Sequence, residues 1–157
     1  MVKYKHRIAD RILERKVLGK GAVLIEGPKW CGKTTTAKQL SKSILDLGDS
    51  SVLMQSSQLI EISPKALLEG KTPRLIDEWQ ALPTIWDCIR SEVDRRGEPS
   101  QFILTGSSVL PEAEETIHSG TGRFAYIKMR TMSLYESGES TGSISLSDLF
   151  EGKSVEV

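Results

Sequence analysis

The stretch GAVLIEGPKWCGKTTTAKQL at residues 21–40 restricts the fold more than any other part of the chain. Within it, Gly27-Pro28-Lys29-Trp30-Cys31-Gly32-Lys33-Thr34 matches the phosphate-loop pattern G-x-x-x-x-G-K-[ST]. Gly27 and Gly32 let the backbone turn tightly enough for successive N–H groups to converge on one anion. A helix starting near Lys33 points its positive dipole end at the same place. Lys33 brings a mobile cation for the β- and γ-phosphates, and Thr34 brings a hydroxyl for Mg²⁺. Thr35 is placed to reach the α-phosphate. Ordinary residue usage yields such a match by chance in roughly one chain of this length in a few hundred. Here an apolar strand precedes the match and a helix follows it, as the chemistry requires. The loop is expected to bind a nucleotide.

The remaining chain alternates β-rich and helical runs. Ile8, Ile12, Leu13 and Val17 recur at helical spacing and predict an amphipathic helix over 6–18. Strands are expected at 22–26, 52–55, 74–78 and 101–105, with a fifth candidate at 124–129. Helices are expected near 33–46, 64–69 and 84–96, the last with Ile85, Trp86, Ile89 and Val93 on one face. Such alternation implies an α/β fold whose parallel sheet is covered on both faces. From about residue 131 serine, glycine and acidic residues take over, and ESGESTGS at 136–143 reads as loop.

The run at 75–76 ends in Asp77-Glu78. An aspartate at the tip of a strand beside the loop can hold a Mg²⁺ shell through water. A glutamate directly after it can orient or deprotonate an attacking water, so the pair argues for hydrolysis. The run Phe102-Ile103-Leu104 ends in Thr105-Gly106-Ser107. Thr105, with Ser107 second, is the candidate for a contact to the γ-phosphate or the water; a plain turn is the alternative.

Composition removes several classes. The 157 residues are most simply one domain, with 21 Lys plus Arg against 21 Asp plus Glu. A chain without positive excess is a poor candidate for sequence-independent nucleic-acid binding. Two cysteines outside any CxxC spacing suggest neither a disulfide framework nor zinc. No apolar run has the ~18–20 residues of a membrane-spanning helix, and the N-terminus lacks a signal-peptide core. A soluble cytoplasmic protein fits these observations.

The order GPKWCGKTTTA, LIDEWQ, FILTGSS and SGTGRFAYIKMRTMSLYESGES, spanning about 6–150, resembles bacterial and archaeal AAA-type ATPases that carry an uncharacterised C-terminal domain. The resemblance implies a phosphate-loop NTPase fold of the AAA/ASCE type, with a five-stranded sheet. In it the strand bearing Thr105 lies between those bearing Lys33 and Asp77. It also implies ATP/ADP and Mg²⁺ as ligands, hydrolysis coupled to a conformational change, and an unidentified protein partner or substrate. By position in the pattern, Arg123 is the candidate arginine for the γ-phosphate, from its own chain or a neighbouring copy in a homo-oligomer; Arg130 is second. The ATPase domain is expected over 1–150, with 151–157 a tail before a missing C-terminal domain. ATP rather than GTP rests on the resemblance, with no N-K-x-D motif present.

Two rival readings stay open. One is a switch that binds nucleotide to recruit a partner and barely hydrolyses it; the other is a small-molecule kinase. Asp94-Arg95-Arg96 resembles kinase lid arginines, yet its place before Gly97 favours a solvated last helical turn. Cys31 reads as a spacer, with redox regulation as the alternative. Trp30 is expected at the surface, Trp79 and Trp86 in the core, and His6 and His118 lack ligand spacing.

Overall fold

In the computed structural model, residues 4–107 and 122–152 are described. Helix α1 (Ile8–Gly19) leads into β1 (Ala22–Gly27), then α2 (Lys33–Leu40), β2 (Ser43–Asp46), α3 (Ser50–Ile62) and α4 (Pro64–Leu67). There follow β3 (Arg74–Asp77), a 3₁₀ turn (Trp79–Ala81), α5 (Ile85–Arg96), β4 (Phe102–Ser107) and β5 (Phe124–Lys128). Two short helices, α6 (Leu134–Ser137) and α7 (Leu146–Phe150), bury none of their residues. Among the described residues the five strands form one sheet in the order β2-β3-β4-β1-β5, all pairs parallel. The expected position of β4, between β1 and β3, is the observed one.

The period of two along each strand builds two cores. Ala22, Leu24, Ile76, Phe102, Leu104 and Phe124 face α3, α4 and α5, where Trp86, Ile85 and Ile89 fill the space. Trp86 stacks on Phe124 at 4.2 Å and tilts against Trp79 at 5.1 Å, so both tryptophans are core as expected. Val23, Ile25, Leu75, Ile103, Ala125 and Ile127 face the other way, onto Leu13 and Val17 of α1 and Ala37 of α2. Strands covered on both faces read as continuous apolar runs, which is why 22–25 and 102–104 carry no polar residue.

Two expected elements are corrected. The helix expected over 33–46 ends at Leu40, and Ser43–Asp46 is instead the edge strand β2. Ser41 turns to extended geometry and the Lys42 N–H donates to Pro73 O, handing the chain to β3. Pairing with β3 overrides a sequence that could continue a helix. The strand expected at 52–55 lies inside α3. The Asp49 carboxylate caps that helix by accepting the Ser51 and Val52 N–H groups. Val52, Leu53, Ser56 and Ile60 then fall on one helical face, buried or half-buried. Three apolar residues in a row, Val52-Leu53-Met54, mask the 3.6-residue period.

Candidate functional site

Parallel register brings the carboxyl ends of β1, β4 and β3 together. Gly27 lies opposite Ser107 and Ile25 opposite Thr105, while Ile76 pairs with Leu104 just before Asp77. The loop 28–32 leaves β1 at this edge and enters α2 through Gly32, whose φ of 96° is left-handed backbone that glycine adopts without strain. The N-terminus of α2 therefore faces a cavity of about 430 Å³ lined by Lys29, Trp30, Gly32, Lys33, Thr34, Thr35 and Glu78. Two separate sequence segments, 29–35 and the turn after β3, meet there.

Lys33 is buried, and its ammonium donates to Gly27 O at 3.0 Å and Pro28 O at 2.9 Å, drawing the loop around itself. The Thr34 hydroxyl donates to Asp77 Oδ1 at 2.9 Å, and the Thr105 hydroxyl donates to the same oxygen. Thr105 is fully buried and spends its hydroxyl on Asp77. A hydroxyl and a carboxylate side by side are the hard oxygen donors that Mg²⁺ accepts from protein, its other positions going to phosphate and water. Among the described residues no group of three or more His, Cys, Asp or Glu gathers into a metal site.

Glu78 borders the same cavity from a left-handed backbone, φ 52°. A non-glycine residue held there costs of order 1–3 kcal/mol and persists where surrounding structure fixes it. Gln80 supplies part of that hold. Its Nε2 donates to Glu78 Oε2 and lies 3.3 Å from Ser107 Oγ, tying β4 to the acid. Sequence reasoning missed Gln80, although it sits in the LIDEWQ stretch; only the sheet order reveals that it reaches Ser107.

Pro28 and Gly27 border a groove with Arg130, so the second-choice arginine stands at the loop's end of the sheet. Arg123 stands at the other end. It precedes β5, whose Phe124 pairs with Ala22 at the start of β1, roughly 16 Å of strand from Gly27 at ~3.3 Å per residue. Its Nε donates to Asp94 of α5. One chain therefore does not bring Arg123 to its own loop. Arg95 and Arg96 both bond Glu92 at 2.7 Å, while Asp94 and Arg95 stay exposed, so the turn is a solvated one as expected.

Cys31 has its thiol turned inward, 3.9 Å from Met129 O among the core residues, so only its backbone borders the cradle. The Trp30 ring is fully exposed, with φ at 67°. His6 pairs with Asp10 at 3.4 Å on the surface, and His118 lies outside the described residues. A second cavity of about 590 Å³ shares Trp30, Gly32 and Thr35 with the first and adds Tyr4, Arg7, Thr36, Gln39 and Met132. Arg7, buried and absent from any motif, was also missed.

Gly27 is fixed by a close approach. A Cβ there would meet Met129 O at 2.3 Å, and Met129 N already donates to Glu26 O at 2.7 Å. Gly27→Ala should cost about 1–3 kcal/mol of stability through this clash, lowering Tm by several degrees in a domain of this size. Thermal unfolding followed by circular dichroism checks it; an unchanged Tm would mean that the end of β5 gives way freely.

A family described as an AAA domain matches residues 19–138 of the chain. Two uncharacterised mycobacterial proteins, Rv2008c of Mycobacterium tuberculosis and Mb2031c of Mycobacterium bovis, are each 27% identical over 138 residues. Those matches cover 87% of this chain and 31% of each relative, so the chain spans about a third of the relatives' length. Among solved structures, C. elegans PCH-2 aligns with 18% identity and a TM-score of 0.41, covering 70% of this chain and 35% of that one. The FIGL-1 AAA domain in complex with ADP aligns with 16% identity and a TM-score of 0.40, covering 79% and 53%.

Proposed function

The chain belongs to the AAA-domain family, and from that premise we propose that it binds ATP with Mg²⁺ at the loop and hydrolyses its terminal phosphoanhydride. One observation carries it: Lys33, Thr34 and Glu78 line one cavity, with Asp77 hydrogen-bonded to Thr34 beside it. Loop N–H groups, the α2 dipole and Lys33 would neutralise the phosphates. Thr34 directly and Asp77 through water would hold Mg²⁺, which supplies charge neutralisation between the β- and γ-phosphates. Glu78 would take the proton of the attacking water. Thr105 would act by fixing the Asp77 carboxylate rather than by touching phosphate. The second cavity, which shares Trp30, Gly32 and Thr35 with the first, has room for the nucleoside.

A binding switch with negligible turnover has one observation in its favour: the Glu78 carboxylate already accepts from Gln80. Multiple-turnover phosphate release from ATP–Mg²⁺ separates the two readings, and no release beyond one equivalent selects the switch. Arg95 and Arg96, the lid arginines of the kinase reading, do not line the loop cavity. Among the described residues no helix is long and apolar enough to cross a membrane.

Lys33→Ala should weaken ATP–Mg²⁺ binding roughly 100-fold or more, because hydrogen bonds to charged groups are worth ~1.5–3 kcal/mol each and the ammonium serves more than one phosphate oxygen. Calorimetric titration measures this, and unchanged affinity would remove the loop from the mechanism.

A further inference from the structure

Arg7 precedes α1, far in sequence from every motif, yet its guanidinium is spent at the phosphate loop. Nη1 donates to Cys31 O at 2.7 Å, Nη2 to Arg130 O at 3.0 Å, and Nε to Glu136 Oε1 at 3.0 Å. The two side chains are 6% and 8% exposed. Glu136 is held from further directions: Ile8 N–H donates to Oε1 at 2.8 Å, and Ser133 donates to Oε2 through its N–H at 2.8 Å and its hydroxyl at 2.9 Å. Burial alone would raise the Glu136 pKa, but these hydrogen bonds outweigh it and hold the carboxyl at about 2.

The contact to Cys31 O has a specific consequence. In a trans peptide the C=O and the following N–H point in opposite directions. Gripping the Cys31 carbonyl therefore fixes where the Gly32 N–H points, on the far side of that peptide plane. Glycine at Gly32 leaves the plane free to rotate in the absence of a hold. An Arg7 nitrogen also lies 3.1 Å from where a Gly32 Cβ would be, so the guanidinium packs directly against the plane.

We infer that Arg7 is a positioning residue that pins the Cys31–Gly32 peptide plane of the phosphate loop, and that its pairing with Glu136 couples nucleotide occupancy of the loop to the order of residues 130–137. This rests on the proposed nucleotide site. An anion on the loop and the latch both favour one orientation of the same peptide plane, so each stabilises the other. By linkage the effect is reciprocal, and couplings of this kind amount to about 5–150-fold in affinity. The chain beyond β5, whose Thr131 and Met132 also line the second cavity, thereby senses the loop through the latch in addition to any direct contact with the nucleoside.

Hydrogen exchange read by mass spectrometry on the full chain, with and without saturating ADP–Mg²⁺, tests the coupling. In the parent, ADP should slow exchange both in peptides covering 27–35 and in peptides covering 130–137, the latter about fivefold or more. Glu136→Gln should still show protection of 27–35 at saturation, lose it over 130–137, and bind ADP about 5–150-fold more weakly. Arg7→Lys, which keeps the charge but loses the fork, should fall between the two. Protection of 27–35 without any change over 130–137 in the parent overturns the coupling while leaving the nucleotide site standing. No protection of 27–35 overturns the nucleotide reading and the inference together. Protection of 130–137 that survives in Glu136→Gln would come from direct contact at Thr131 and Met132 and overturns the latch; Arg7→Lys supplies the same comparison where Glu136→Gln fails to fold.

Discussion

Glu78→Gln is expected to bind ATP–Mg²⁺ about as tightly as the parent and to hydrolyse it roughly 10²–10⁴-fold more slowly, the usual cost of losing a general base. The amide keeps the volume and can still hydrogen-bond, but it cannot accept the water's proton. Glu78 borders the cavity from the turn directly after β3, one residue beyond the Asp77 that receives the Thr34 hydroxyl. Its left-handed backbone aims the side chain out of the strand direction, toward the loop. Gln80, donating to it from the 3₁₀ turn, restrains the carboxylate. Gln80→Ala should accordingly lower turnover less than Glu78→Gln while leaving binding intact. Single-turnover hydrolysis alongside equilibrium titration checks both variants. Turnover equal to the parent's for Glu78→Gln would reduce Glu78 to a surface acid.

The parts of this site read from sequence are those built from neighbours in the chain. Gly27 to Thr35 form one continuous segment, the end of β1, the loop and the first turn of α2, so their spacing alone points to the cradle. The helix-capping and strand-pairing choices at 41–56 were not legible in the same way. Ser43–Asp46 becomes a strand because β3 is beside it, and Val52-Leu53 become helical because Asp49 caps the turn before them. Both outcomes depend on hydrogen bonds that a local window of apolar residues does not record. Thr105 was placed at the right strand end, yet its partner, Asp77, follows only from the side-by-side arrangement of β3 and β4. Arg7, Gln80 and Glu136 escaped altogether, since each acts through a residue on another segment. Gln80 had the weak signal of lying in the acid-bearing turn. Arg7 had none.

The second large effect concerns Arg123. Within one chain the full length of β1 separates it from the loop, so an action on the γ-phosphate requires a neighbouring copy. Its present partner does not forbid that role. The Arg123 and Asp94 side chains are 36% and 47% exposed, and ion pairs this open to water hold their members weakly. If a neighbour's site uses Arg123, Arg123→Ala should lose turnover by roughly 10³–10⁵-fold, the range seen when such an arginine stabilises transition-state charge. Nucleotide binding should be nearly unchanged. Specific activity of the parent should rise with protein concentration as copies associate. Mixing Arg123→Ala with Lys33→Ala should recover part of the activity, because one interface then joins an intact loop to an intact arginine. Phosphate release across a concentration series, with association followed by sedimentation, provides the measurement. Activity independent of concentration, or no recovery between variants shown to associate, would leave Arg123 as the surface partner of Asp94. The loop-side Arg130, next to Gly27 and Pro28, would then be the arginine to replace next.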